Sequence, residues 1–265
     1  MEFLIQQSSW NRPSSAQSTF LMKKSLPHDS PRQAFTLIEM LVVVTIIVLL
    51  LAFSTPALMR TMQSSRLTSV GDSIFGAISE AQQTAFAQNV PVELRFFKHT
   101  EEGFSDSPEF FRSYQMFKIL LVTEGAGATA TVKESIVPVG NLVRFSDGIV
   151  IATNDELSPA LSGEGLPDTK ESGTSGGSFG YAGVENATYN AIRFMTDGSC
   201  RKVGASADND GVTLATLTYQ TLPECFFTIT YDTSQELTAA NLPKNFYTIQ
   251  IDPFTGKARN YKPGF

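Results

Sequence analysis

A chain of 265 residues with 42% hydrophobic, 17% charged and 11% aromatic side chains holds material for one good-sized core or two small ones, which excludes wholesale disorder. With 20 basic and 26 acidic residues and a net charge of -6, it is no polycation built to coat nucleic acid, although a local basic patch stays open. Two cysteines make neither a zinc ribbon nor a disulfide framework, and two histidines, His28 and His99, leave little for His-ligated metals or His-based catalysis. No cofactor, no metal site and no enzymatic activity are expected.

The first 34 residues carry Arg12, Lys23, Lys24 and Arg32 against Glu2 and Asp29. Subtracting these from the totals leaves 16 basic and 24 acidic residues, a net of -8, for the remainder. Next comes an almost wholly apolar run, Phe35-Thr-Leu-Ile-Glu39-Met-Leu-Val-Val-Val-Thr-Ile-Ile-Val-Leu-Leu-Leu-Ala-Phe53. Residues 35 to 55 as helix span roughly 31 Å, the thickness of a bilayer core. The basic flank and the unbroken run favour a membrane helix over a buried soluble one. The positive-inside rule then keeps the N-terminal flank cytoplasmic and places everything after Thr55 outside. A secretory signal is the competing reading. It fails because the run exceeds a usual signal core and no clean small-x-small site follows, Ala52-Phe-Ser54 leading straight into Pro56.

Glu39 does not suit a simple anchor, since a carboxylate near the centre of a membrane helix costs about 2.5 to 3.5 kcal/mol on insertion scales. It could snorkel to the interface. Alternatively, a cut just before Phe35 would set Glu39 one helical turn from a new α-amino group, at the positive end of the helix dipole.

Ala34-Phe35-Thr36-Leu37-Ile38-Glu39 resembles the prepilin processing and methylation motif of type IV pilins and type II secretion pseudopilins. The resemblance implies cleavage between Ala34 and Phe35 by a prepilin peptidase, N-methylation of Phe35, and assembly roles for Glu39 and Pro56, the fifth and twenty-second residues after the cut. Glu39 would neutralise the N-terminus of a neighbouring subunit. Ala34 stands where the family usually has Gly; as the next smallest side chain it implies slower processing at worst. The implied partners are the peptidase, other pilin or pseudopilin subunits, an inner-membrane assembly machine and the lipid bilayer, with nucleic acid not expected. Translation from Met22 rather than Met1 would give a compact basic leader, Met22 to Ala34, like those of the resembled families.

Past Pro56, which should kink or loosen the helix, Leu67, Val70, Ile74, Ile78, Ala81 and Ala85 recur at steps of three or four and predict an amphipathic helix to about Gln88. The whole spine, residues 35–88, would be about 80 Å long. Asn89 and Pro91 stop it. Strands are predicted at 92–97, 114–122, 142–151, 189–195, 225–231 and 246–251, with turns at Asp147-Gly148, Asp197-Gly198 and Thr255-Gly256. A helix followed by strands on short turns argues an α+β fold with an antiparallel sheet packed on the spine. The organisation read from this is a leader at 1–34, a transmembrane or filament-core helix at 35–55, its amphipathic continuation at 56–88, and a periplasmic β-rich domain at 89–265. Residues 153–183, rich in Gly, Ser and Thr, read as a flexible exposed loop.

Glu80 to Arg95, Ile192 to Gly198 and Ile249 to Arg259 resemble the helix-to-strand junction and later hairpins of H-type pseudopilins. More narrowly, Gln83 to Phe97, Asp147 to Ile151 and Ile251 to Gly256 resemble the pilin-like family called Verru_Chthon cassette protein D.

Gly173-Thr-Ser175-Gly-Gly177 has the nucleophile-elbow spacing but sits in the Gly/Ser loop with no His after it, so it reads as composition. Asp208-Asn-Asp210-Gly211 lacks the spaced ligands of a calcium loop and reads as a turn. Cys200 and Cys225 could pair in an oxidising periplasm if their strands neighbour each other, or remain two buried thiols. Lys257, Arg259 and Lys262 form a basic C-terminal segment that reads first as a solvated face and second as a nucleic-acid contact. The sequence therefore reads as a structural pseudopilin or minor pilin-like subunit of the inner membrane. A DNA- or surface-binding minor pilin is the alternative, and a membrane-anchored hydrolase a remote third.

Overall fold

A computed structural model describes residues 35–100, 108–125, 130–168, 180–185, 187–204, 215–233 and 235–263. The chain divides into two units, one ending at Ala52 and one running from Phe53 to Phe265. It is an α+β protein: a long N-terminal helix, α1 (Leu37–Gln88), followed by an antiparallel sheet with eleven strands among the described residues. Helical conformation continues through Pro56, so the proline does not end the helix.

In the first unit the helix is apolar on all sides and its large side chains, from Leu37 to Leu51, are exposed. In the second unit the apolar positions narrow to one stripe. Leu67, Val70, Ile74, Ala77, Ile78, Ala81 and Ala85 are buried there, the face that the steps of three and four predict. The helix ends where Asn89 turns left-handed (φ 51°) and the Val90 amide bonds back to the Ala85 carbonyl, a Schellman-type stop with Pro91 just beyond.

The strands are β1 (Val92–His99), β2 (Phe110–Glu124), β3 (Thr131–Arg144), β4 (Ile149–Ile151), β5 (Leu166–Pro167), β6 (Thr188–Phe194), β7 (Cys200–Gly204), β8 (Thr216–Thr218), β9 (Phe226–Tyr231), β10 (Tyr247–Ile251) and β11 (Ala258–Tyr261). Their spatial order is β11-β10-β9-β4-β2-β1-β6-β7-β8, with β3 added on β2 and β5 on β6. Alternation along β1 divides the two faces. Val92, Leu94 and Phe96 join Phe194, Phe227, Ile249 and the helix stripe in the main core, while Phe97 joins Phe117, Tyr189 and Val203 in a second cluster on the opposite face.

Gly71 shows how closely helix and sheet approach. A Cβ there would lie 2.5 Å from the Tyr247 ring, so the glycine admits the aromatic against the helix backbone. Tyr247 then donates its hydroxyl to Asp72 Oδ1 at 2.9 Å.

Three predicted features differ. The strand expected at 142–151 is two elements, the end of β3 and all of β4, because Asp147-Gly148 turns the chain with Gly148 at φ 78°. Most of β3, from Thr131, was not predicted, its Pro138 and Gly140 having masked the strand pattern. The described parts of 153–183 are not simply an exposed loop: Leu157, Ala160, Leu161 and Ala182 are buried, and the Asp168 carboxylate accepts the Tyr181 and Ala182 amides at 2.9 and 2.7 Å. A few apolar residues spread among glycines and serines give no periodic signal, yet they join the clusters packed on the sheet. The Gly173–Gly177 and Asp208–Gly211 segments lie outside the described residues.

Candidate functional site

The start of α1 has a defined geometry. Thr36 is the N-cap and Glu39 the third helical residue, the spacing of a reciprocal capping box. The Glu39 amide donates to Thr36 Oγ1 at 3.2 Å; in return Glu39 Oε2 accepts the Thr36 amide at 2.8 Å and the Thr36 hydroxyl at 2.9 Å. The first helical bond, Met40 N–H to the Thr36 carbonyl, closes at 3.2 Å. A carboxylate at this end satisfies otherwise orphaned amides and complements the positive end of the helix dipole. Both internal bonds fall on Oε2, at an exposed end of the helix.

Phe35, one residue before the cap, is 75% exposed. Ala34 lies outside the described residues. Further along the apolar run, the Thr45 hydroxyl donates to the Leu41 carbonyl at 2.8 Å, so this polar side chain is satisfied within the helix. The apolar stretch of α1 is unburied, and α1 alone among the described helices is long and apolar enough to cross a membrane.

The family model described as the prokaryotic N-terminal methylation motif matches residues 29–55. At its N-terminus the chain is type IV pilin-like. The motif implies processing by a prepilin peptidase and assembly with other pilin subunits, and the single N-terminal apolar helix fits inner-membrane anchoring. No curated protein and no solved structure matches the chain.

The pilin-like chain's other candidate residues lie in the sheet unit. Lys257, Arg259 and Lys262 do not converge on one surface. Arg259 pairs with Gln250 across the β10–β11 ladder and is exposed, as is Lys257, whereas Asn260 points the other way and donates to the Tyr247 hydroxyl at 2.8 Å. Lys262 lies 4.7 Å from the Tyr247 ring centroid and 3.8 Å from Asp72, held against the helix. Cys200 and Cys225 are both buried free thiols. They sit on β7 and just before β9, strands that are not sheet neighbours, yet both lie against the end of β10, where the Cys200 amide donates to the Pro253 carbonyl and the Ile251 amide to the Cys225 carbonyl, each at 2.8 Å. No group of three or more potential metal ligands occurs among the described residues.

Two features escaped the sequence reading. The first is Thr36 as the partner of Glu39, although Thr-x-x-Glu ahead of an apolar run is a readable signature. The second is a buried ionic cluster on the sheet's outer face. Glu93 accepts from Arg95 at 2.6 Å and from Arg193 at 2.8 Å, and Arg193 also grips Glu134 of β3 at 2.7 Å. The Arg95 guanidinium sits between the rings of Phe117 and Tyr189, at 4.6 and 4.2 Å. Burial acts to raise the Glu93 carboxyl, but the two guanidiniums and their hydrogen bonds outweigh it and hold it below the usual carboxylate range. Burial pushes the Tyr189 phenol up to about 12. Opposite charges two apart on a strand were the available signal, and solvent exposure was the simpler expectation for them.

Proposed function

We propose that this chain is a structural pseudopilin or minor pilin-like subunit without enzymatic activity. A prepilin peptidase cuts it between Ala34 and Phe35 and methylates Phe35. It is held in the inner membrane by residues 35–55 with its sheet domain in the periplasm. From there a type II secretion or type IV pilus-like machine draws it into a filament.

The observation that carries this reading is the N-terminal methylation motif placed on the exposed, largely apolar first half of a helix whose first turn is closed by Thr36 and Glu39. Such a helix leaves its side chains for lipid before assembly and for neighbouring helices after it. Glu39 adds an ionic element: with one oxygen engaged by its own Thr36, the second can meet the α-amine of an adjacent subunit. This gives register to apolar packing that otherwise specifies it weakly. The separation of Lys262 from Lys257 and Arg259 weighs against a DNA-binding role for the C-terminal segment.

The deciding measurement is the mass of the native N-terminus from isolated membranes. An N-methylated Phe35 as first residue is expected; a chain still carrying residues before Phe35 overturns the reading. In cells, Glu39→Gln should insert normally and crosslink poorly to neighbouring subunits.

A further inference from the structure

The two ends of the sheet curl toward each other beside α1. At one end, the Cys200 amide of β7 donates to the Pro253 carbonyl in the β10–β11 turn at 2.8 Å. At the other, the Cys225 carbonyl accepts the Ile251 amide of β10 at 2.8 Å. Gly256 (φ 66°) packs so close to the Gly198 carbonyl that a Cβ would lie 2.7 Å from it, and the Gln82 side chain of α1 donates to the Thr255 carbonyl in the same turn. Strands far apart in the ladder thus meet at a seam with a cysteine on each side, Cys200 Sγ donating to the Asp252 carbonyl at 3.8 Å and Cys225 Sγ to Gln220 Oε1 at 3.5 Å.

We propose that Cys200 and Cys225 form an intramolecular disulfide that closes this seam around the helix. The inference rests on the periplasmic placement of the sheet domain proposed above. The chemistry is exchange with a disulfide-bearing oxidant, a thiol oxidase of the envelope or glutathione disulfide. One cysteine thiolate attacks the oxidant's disulfide, releasing one oxidant thiol and leaving a mixed disulfide. The second cysteine thiolate then attacks the cysteine sulfur of that bond and releases the other oxidant thiol. Two electrons pass to the oxidant, and the two cysteine protons leave with its thiols.

The geometry also sets the order of events. Both cysteines are 1% exposed, and the neighbouring Cys225 together with burial pushes the Cys200 thiol up. Thiolate is scarce and access poor once the domain has folded, so the bond forms during folding and is afterwards shielded from reductants. It joins the start of β7 covalently to the segment entering β9, beside the Cys200–Pro253 hydrogen bond and the Gln82 contact to the β10–β11 turn. A subunit pulled out of a bilayer by its helix would need this seam to stay shut.

The test uses the full-length chain in bacterial cells, quenched in acid, denatured and alkylated with a maleimide polymer. No adduct without reduction and two adducts after it are expected. Cys200→Ala and Cys225→Ala should each give one adduct without reduction, a count made on denatured chains and so independent of folding. Bond cleavage by dithiothreitol should be about tenfold or more slower in the native than in the denatured protein. Two adducts without reduction, in chains whose sheet domain is cut by protease added to spheroplasts, would overturn the proposal, as would a bond found between two chains. If the domain is instead protease-shielded and reduced, the placement fails, and the reduced chain purified in detergent decides the staple. Closure by glutathione disulfide to a monomeric Cys200–Cys225 bond supports it, and persistent mixed disulfides or free thiols overturn it.

Discussion

The two halves of α1 share a conformation and differ in what surrounds them. Between Leu37 and Leu51 the large apolar side chains are roughly half exposed or more; between Leu67 and Ala85 the apolar stripe is at most 7% exposed. In the second half the partner is the sheet: the stripe lies in one cluster with Leu94, Phe96, Phe227 and Ile249. In the first half the apolar side chains are exposed all round the helix. Each buried Val, Leu or Ile is worth about 1.5 to 3 kcal/mol relative to exposure, so such a surface requires lipid or other helices. One helix therefore carries two different solutions to the same hydrophobic problem, a stripe matched to its own fold and a full cylinder matched to something outside it.

The largest effects should come from the sheet domain and leave the membrane half untouched. Glu93→Ala takes the carboxylate from the buried Arg95 guanidinium and leaves Arg193 with Glu134, and should destabilise the domain by about 3 to 5 kcal/mol, with unchanged partition into membranes. Denaturant unfolding in detergent, followed by near-UV dichroism, reads the first, and carbonate extraction the second. The acid limb of wild-type stability sharpens the assignment. The Glu93 carboxyl is held below its ordinary 4.5 in the folded state, so its stabilisation is complete above that pH and lost as pH falls through the lower folded value. Glu93→Gln should flatten this limb; an unchanged profile would place the acid sensitivity elsewhere.

Paired truncations test the two halves directly. Ile74→Ala should cost about 2 to 5 kcal/mol in the same unfolding assay, while Ile47→Ala should leave the domain's midpoint within error. A similar loss from both would mean that the first half packs on the sheet. The converse substitution is Val48→Arg, which should oppose membrane insertion by about 2.5 to 3.5 kcal/mol without shifting the domain's unfolding.

Smallest is the cap. Thr36→Ala removes one side of the Thr36–Glu39 box and should lower the helicity of the first turn by the equivalent of about 1 kcal/mol, read as faster amide exchange confined to residues 37–40 in micelles. Thr36→Ser should restore it. An effect extending into the sheet domain would contradict the independence of the two halves.

The sequence by itself determined whatever depends on local periodicity or on one residue's own chemistry. The apolar run, the steps of the amphipathic stripe, the stop at Asn89 and Pro91, and the strands starting at Val92, Thr188, Phe226 and Tyr247 were legible to within a few residues. Each is set by neighbours a turn or a pleat away. Glu39 was legible because a lone carboxylate in an apolar run has no bland explanation. Only the tertiary structure decided the rest. That β3 adds onto β2, that Glu93 and Arg95 turn inward to meet Arg193 and Glu134, that Gly71 makes room for Tyr247, and that Cys200 reaches Cys225 across strands not paired in the ladder are all contacts between residues distant in the chain. Sheet curvature brings such residues together, and curvature is a sum of small twists over many strands that no single window of sequence records.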